Sequence, residues 1–266
     1  MTEREADAKE LVNVACRAAD AACQAIRPYF RSSQLETANK AQQGYDPVTL
    51  ADRASETAIR RVLQTERPQD AILGEEFAAA EGSSGLTWVI DPIDGTRGFV
   101  SGTPTWGVLI AVSDDTGPIL GVIDQPYIGE RWIGGLGRAD FSGPHGPAQL
   151  VTRQTTALEE AILFSTFPEV GTEAERVAFH RLASNVQLTR YGTDCYAYGL
   201  LALGQIDLVV EAGLHPYDIC APIAVIEAAG GIATDWNGAP AHCGGRVVAA
   251  ANPDIHALAL GILKDA

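Results

Sequence analysis

A chain of 266 residues with 46% hydrophobic and 20% charged residues has the make-up of a globular protein, long enough for one large domain or two tightly joined ones. Its 34 acidic against 19 basic residues give a net charge of -15, which argues against nucleic acid as a main partner, because phosphate backbones need clustered Lys and Arg. A phosphorylated small substrate stays open, since bound metal ions would invert the local field.

The first residues show no basic segment followed by an apolar run, and no apolar stretch reaches about 18 residues, so a cytoplasmic protein without a membrane span is expected. The cysteines Cys16, Cys23, Cys195, Cys220 and Cys243 include no CxxC pair and read as reduced, buried residues. Residues 5–30 are predicted as an amphipathic helix, with Val12, Cys16, Ala19, Cys23, Ile26 and Phe30 recurring at spacings of four and three. The polar stretch from Arg31 to Tyr45, which contains Lys40, reads as an exposed, mobile connection. Asp46-Pro47-Val48-Thr49 is expected to open a second helix over about Leu50 to Glu66.

From Ala71 the pattern turns to strands, at 71–73, 87–90, 106–112, 119–125 and 131–134. Their Gly, Pro and Asp ends suggest a largely antiparallel sheet. The Gly- and Pro-rich segment 137–147 marks the expected boundary between an N-terminal α+β subdomain (1–143) and a C-terminal α/β subdomain (144–266). Beyond it strands at 161–165, 187–189, 206–211, 232–234 and 247–251 alternate with helices at 173–184, 194–203, 217–229 and 254–263, an α/β pattern.

The chemistry concentrates in Trp88-Val-Ile-Asp-Pro-Ile-Asp-Gly-Thr96. An apolar strand run ends abruptly in Asp91 and Asp94. Two buried acids aimed at one place lose several kcal/mol of hydration each unless a cation lies between them. Magnesium prefers such hard oxygen ligands and shares them with substrate phosphates. Asp46, Asp52, the pair Glu75-Glu76 and Asp218 also stand at predicted element ends, where α/β folds place ligands. Each has a plain alternative: a helix cap for Asp46 or Asp218, an exposed turn for Glu75-Glu76, a self-bonded turn for Asp91 and Asp94. No GxSxG or P-loop offers a covalent nucleophile or a nucleotide cradle.

In order and spelling these motifs resemble the inositol monophosphatase superfamily of magnesium-dependent phosphatases. They are DPVTLAD (Asp46–Asp52), GEE (Gly74–Glu76), WVIDPIDGT (Trp88–Thr96) and PYD (Pro216–Asp218) followed by EAAGG (Glu227–Gly231). The resemblance implies a layered αβαβα sandwich and a homodimer. It implies that Glu75, Asp91 and the Ile93 carbonyl bind one magnesium, and Asp91, Asp94 and Asp218 a second, with two or three ions per subunit and manganese as a substitute. Asp52, Glu75 and Thr96 would hold or activate the attacking water, and the N–H groups of Gly95 and Thr96 would face the phosphate. Lithium inhibition is also implied.

For the substrate, Asp94, Asp194, Glu211 and Arg97 are the candidate contacts. Asp194 is read at a helix start and Glu211 at a strand end, and two carboxylates near the leaving group favour a cationic alcohol. The segments DGTRGFVSGTPTWG, DQPYIGERW, TRYGTDCYAYG and DLVVEAGLHPYD resemble the histidinol-phosphatase branch, which implies hydrolysis of L-histidinol phosphate in histidine biosynthesis. Inositol-1-phosphate, a sugar bisphosphate, an adenosine bisphosphate and a non-catalytic phosphate-binding scaffold are the rival readings. Lys40 and His215 carry no assigned role.

Overall fold

The computed structural model describes residues 3–33, 37–39 and 47–264; Lys40 and Asp46 lie outside them. Helix α1 (Glu3–Ile26) stops four residues before the predicted end, yet Phe30 in the turn beyond is still buried. Part of the expected connection is structured, because β1 (Thr37–Asn39) pairs antiparallel with β2 (Pro47–Thr49). Helix α2 (Leu50–Glu66) follows at once. Its cap is Thr49, whose hydroxyl accepts the Ala51 N–H at 3.0 Å while Asp52 accepts the Thr49 N–H at 2.7 Å. This reciprocal box satisfies helix-end donors that would otherwise be orphaned.

The first sheet holds β3 (Ala71–Gly74), β4 (Thr87–Asp94), β5 (Gly107–Asp114), β6 (Gly117–Gln125), β7 (Glu130–Gly135), β8 (Arg138–Gly143) and β9 (Gly146–Gln149), side by side in chain order. Only β3 and β4 run parallel. Paired strands run through the segment 137–147, where the subdomain boundary is expected. Gly143, Pro144, Gly146 and Pro147 serve the edge hairpin β8–β9, Gly137 the turn before it, and the sheet continues to Gln149, past the expected boundary at 143.

The second sheet has the order β11 (Leu188–Tyr191), β10 (Ile162–Ser165), β12 (Leu208–Leu214), β14 (Gly245–Ala250), β13 (Ile232–Asp235). Strand β10 is parallel to its neighbours and the β14 pairings are antiparallel. Helices α3 (Thr96–Ser101), α4 (Glu173–Ala183), α5 (Tyr196–Ala202), α6 (Pro216–Ala228) and α7 (Pro253–Leu263), with a 3₁₀ turn at Leu158–Glu160, complete the described elements.

Side-chain alternation along the strands dictates the layering. On β5, Val108, Ile110 and Val112 face a core with α1 and α2, while Leu109 and Ala111 face one with α5 and α6. On β12 and β14, Val209, Val247 and Ala249 face that same middle core, whereas Leu208, Val210 and Val248 face α4 and α7. Three cores thus separate five layers, α1/α2, sheet, α5/α6, sheet, α4/α7, and the αβαβα expectation holds. Helix α6 lies hard against the first sheet. A Cβ on Gly121 would sit 2.2 Å from the Ala221 carbonyl oxygen, and one on Gly134 2.4 Å from the Val225 Cα. Among the described residues no helix is long and apolar enough to cross a membrane.

Candidate active site

A cleft of about 310 Å³ opens where the ends of β4, β12 and the starts of α3 and α6 meet. It is lined by Glu75, Asp91, Ile93, Asp94, Gly95, Thr96, Arg97, Asp194, Glu211 and Asp218, so among the described residues it gathers every candidate named from the sequence except Asp52 and Glu76. Carboxylate oxygens of Asp91, Asp94 and Asp218 lie within 4.8 Å of one another.

The convergence has a backbone cause. Residues three apart on a regular strand point to opposite faces. Asp91 pairs with Leu109 and Asp94 with Gly107, so β4 takes three steps where β5 takes two. This bulge cancels the alternation and turns both acids to one side. The Ile93 N–H donates to Asp91 Oδ1 at 3.0 Å, which steadies the bulge. Gly95 then adopts φ 83°, and α3 starts at Thr96. That glycine is required twice, by the left-handed backbone and by Asp194, whose Cγ would lie 2.7 Å from an added Cβ.

Asp52 approaches from α2. Its Oδ2 accepts from the Thr49 N–H and hydroxyl, at 2.7 and 2.6 Å, which leaves Oδ1 facing the Thr96 hydroxyl at 3.3 Å. The same hydroxyl is 3.2 Å from the Ile93 carbonyl oxygen. Asp218 stands in the first turn of α6, and its Oδ2 accepts the His215 N–H at 2.6 Å. His215 itself stacks on Tyr217, with centroids 5.0 Å apart.

Two sequence expectations need correction. Asp194 does not open a helix: α5 begins at Tyr196, and Asp194 sits in the turn before it with φ 44°. Its Oδ2 accepts from the Thr105 hydroxyl at 3.2 Å, while the next N–H, of Cys195, donates to Asp94 Oδ2 at 2.6 Å. The strain of a left-handed non-glycine residue is thus tied to docking this turn on the Asp94-Gly95 turn. Glu211 does not end its strand. It is buried, and β12 continues past it to Leu214 across a second bulge, with Glu211 opposite Val247 and Leu214 opposite Gly245. Its Oε1 accepts from the Thr166 N–H and hydroxyl, at 2.7 and 2.8 Å. Arg97 lies with its Cζ 5.0 Å from the Phe167 ring centroid, close enough to Asp194 to lower that acid's pKa.

Sequence reasoning missed the residues that hold these acids. Thr49, Thr105 and Thr166 are ordinary in sequence, although Thr49-x-x-Asp52 is a legible capping box. Glu56 is fully buried on α2, accepting from the Glu76 N–H and the Arg60 guanidinium, both at 2.7 Å. It fixes the turn that carries Glu75, and its only signal is an acid on the buried face of a helix.

The electrostatics are those of a site built for cations. Burial, then Glu75, Asp94 and Asp218, drive the Asp91 carboxyl well up. Burial, then Asp218 and Asp194, do the same to Asp94. Asp218 and Asp52 are raised chiefly by burial. Burial lifts Asp194 to about 6, against the Thr105 hydrogen bond and Arg97, and lifts Glu211 to about 7, against its Thr166 bonds. Clustered oxygen donors that repel one another when ionised fit magnesium or another hard divalent ion, whose charge removes the repulsion.

Comparisons with known proteins follow the same lines. The model of the inositol monophosphatase family matches residues 7–266. The chain is 42% identical over 258 residues to the bifunctional phosphatase IMPL2, chloroplastic, of Arabidopsis thaliana, covering 92% of this chain and 72% of that protein. It is 37% identical over 206 residues to the histidinol-phosphatase of Mycobacterium tuberculosis, covering 76% and 79%. The structure of an inositol monophosphatase from Zymomonas mobilis superposes with a TM-score of 0.84 at 38% identity, over 99% of this chain and 100% of that one.

Proposed function

This chain belongs to the inositol monophosphatase family of phosphatases, and we propose that it is a magnesium-dependent phosphomonoesterase whose preferred substrate is L-histidinol phosphate. Glu75, Asp91 and the Ile93 carbonyl would hold one ion, and Asp91, Asp94 and Asp218 another; two or three ions per subunit and manganese as a substitute belong to the same reading. The bound ions would supply positive charge for the phosphoryl oxygens and lower the pKa of water. The proton path is the chain's own. Thr96 Oγ1 donates toward Asp52 Oδ1 or the Ile93 carbonyl, which leaves an Oγ1 lone pair aimed outward to take a proton from the attacking water. Asp52, whose carboxyl burial raises, would receive the hydroxyl proton in turn. The N–H groups at Gly95 and Thr96 would orient the phosphate. A cytoplasmic homodimer is the setting this proposal takes.

The observation that carries the substrate is a pair of acids on the cleft wall beside the proposed metal acids, Asp194, which is part-buried, and Glu211, which is buried. Each is held in place by a threonine, and a cationic alcohol between them would favour the ionised form of both. A neutral polyol would leave both without a countercharge. The 37% identical histidinol-phosphatase supports this reading. The 38% identical inositol monophosphatase supports a second one, inositol-1-phosphate, on the same machinery. A phosphate-release assay with magnesium decides between them, comparing L-histidinol phosphate, inositol-1-phosphate, fructose-1,6-bisphosphate and an adenosine bisphosphate. The expected result is the highest kcat/KM on L-histidinol phosphate. A higher value on inositol-1-phosphate removes the substrate assignment and leaves the phosphatase.

A further inference from the structure

One wall of the cleft carries an apolar ring that the acid chemistry leaves unused. Phe167 is 42% exposed and lines the same space as Asp194 and Glu211. It follows Thr166, which is fastened to Glu211, and its own carbonyl accepts the Ser165 hydroxyl at 3.3 Å, so its backbone is fixed. On another side the Arg97 guanidinium lies over the ring while acting electrostatically on Asp194. The ring is therefore held at a set place in the cleft that the two acids also line. Single exposed apolar residues are ordinary on open surfaces. An exposed ring inside an acidic cleft regains hydrophobic stabilisation when a substrate group covers its remaining exposed area, and a flat ring adds the stacking geometry that a polyol lacks.

We infer that Phe167 is a specificity-determining residue that stacks a flat heteroaromatic ring on the leaving alcohol, while Asp194 and Glu211 hold its cationic part. The inference rests on the proposed reading of a cationic leaving alcohol and adds the ring to it.

Four esters test it at about pH 8, where an imidazole is neutral. L-Histidinol phosphate has ring and ammonium; phosphoethanolamine has only the ammonium. 2-(Imidazol-4-yl)ethyl phosphate has only the ring, and inositol-1-phosphate has neither. Phe167→Ala should lower kcat/KM about tenfold on both imidazole esters and less than about twofold on the other two. Phe167→Leu, bulky but without an aromatic face, should behave like the alanine variant, and Phe167→Tyr like the parent. Equal loss on all four esters, no loss on the imidazole esters, or a parent enzyme that hydrolyses neither imidazole ester overturns the inference. The charge reading is tested separately by Asp194→Asn, which should act on the two ammonium esters, so either can fail while the other stands.

Discussion

Replacing Asp194 by Asn is the sharpest test of how the cleft selects its substrate. The variant is conservative: Asn tolerates the left-handed backbone at φ 44° and keeps an acceptor for the Thr105 hydroxyl. Only the charge is lost. With its carboxyl at about 6, Asp194 is ionised roughly tenfold over its protonated form at about pH 7. A charge-assisted hydrogen bond to a substrate ammonium contributes about 1.5–3 kcal/mol, or roughly 10- to 150-fold in kcat/KM. Arg97 already offsets part of the charge, so the expected loss on L-histidinol phosphate is in the lower half, about 10- to 40-fold. Inositol-1-phosphate has no cation to lose and should stay within about threefold. The sign of the pH effect follows. Acidification through about 6 protonates Asp194, so the preference for the cationic ester should decline there, and Asp194→Asn should remove that decline. The assay is kcat/KM by phosphate release on both esters between about pH 5 and 8. Equal losses on the two esters, or an unaltered pH limb in the variant, refute the charge argument.

Three further outcomes follow from the same geometry. Thr96→Ala should lower kcat by about 10²- to 10⁴-fold with KM little changed, because it breaks the proton path to Asp52, and Thr96→Ser should restore much of the rate; steady-state kinetics reads both. Glu211→Gln should raise the thermal midpoint of metal-free protein at about pH 8. A carboxylate whose folded value is lifted to about 7 stabilises the fold below its ordinary value and loses that contribution as pH rises through about 7, so the gain from the neutral amide should vanish near about pH 5. Gly121→Ala should destabilise by about 1–3 kcal/mol in denaturant unfolding, since its Cβ meets the Ala221 carbonyl, with little change in kcat for the folded fraction.

Much of the fold is legible because apolar periodicity reports it directly. The alternation of Val108, Ile110 and Val112 with Leu109 and Ala111 announces a strand buried on both faces, and the structure places those two sets in two different cores. Legibility failed where local composition and tertiary context disagree. Gly137–Pro147 reads as punctuation, yet at a sheet edge glycine and proline are compatible with pairing, and the hairpin β8–β9 forms there. Asp194 failed for a different reason. An acid ahead of an apolar run has the pattern of a helix cap, but contacts to Thr105 and the packed Gly95 backbone pull it into a left-handed turn.

The site shows the same division between identity and geometry. Asp91, Asp94 and Asp218 announce themselves by type and by neighbouring Gly and Pro, but nothing in their spacing says they converge. Asp91 and Asp94 would diverge on a regular strand, and only the extra residue against Leu109 and Gly107 brings them together. The second sheet repeats the device, with an extra residue just beyond Glu211 against Val247 and Gly245. A bulge carries no side-chain signature of its own, since it arises from the register of a partner strand remote in sequence. Both bulges follow buried stretches of their strands, Trp88–Asp91 on β4 and Leu208–Glu211 on β12, so the irregular backbone is anchored by the two sheets themselves. That arrangement explains why acids that repel one another stay aimed at a common point without a flexible loop to let them escape: the repulsion is opposed by three hydrophobic cores, and the divalent cation of the proposed function would relieve it.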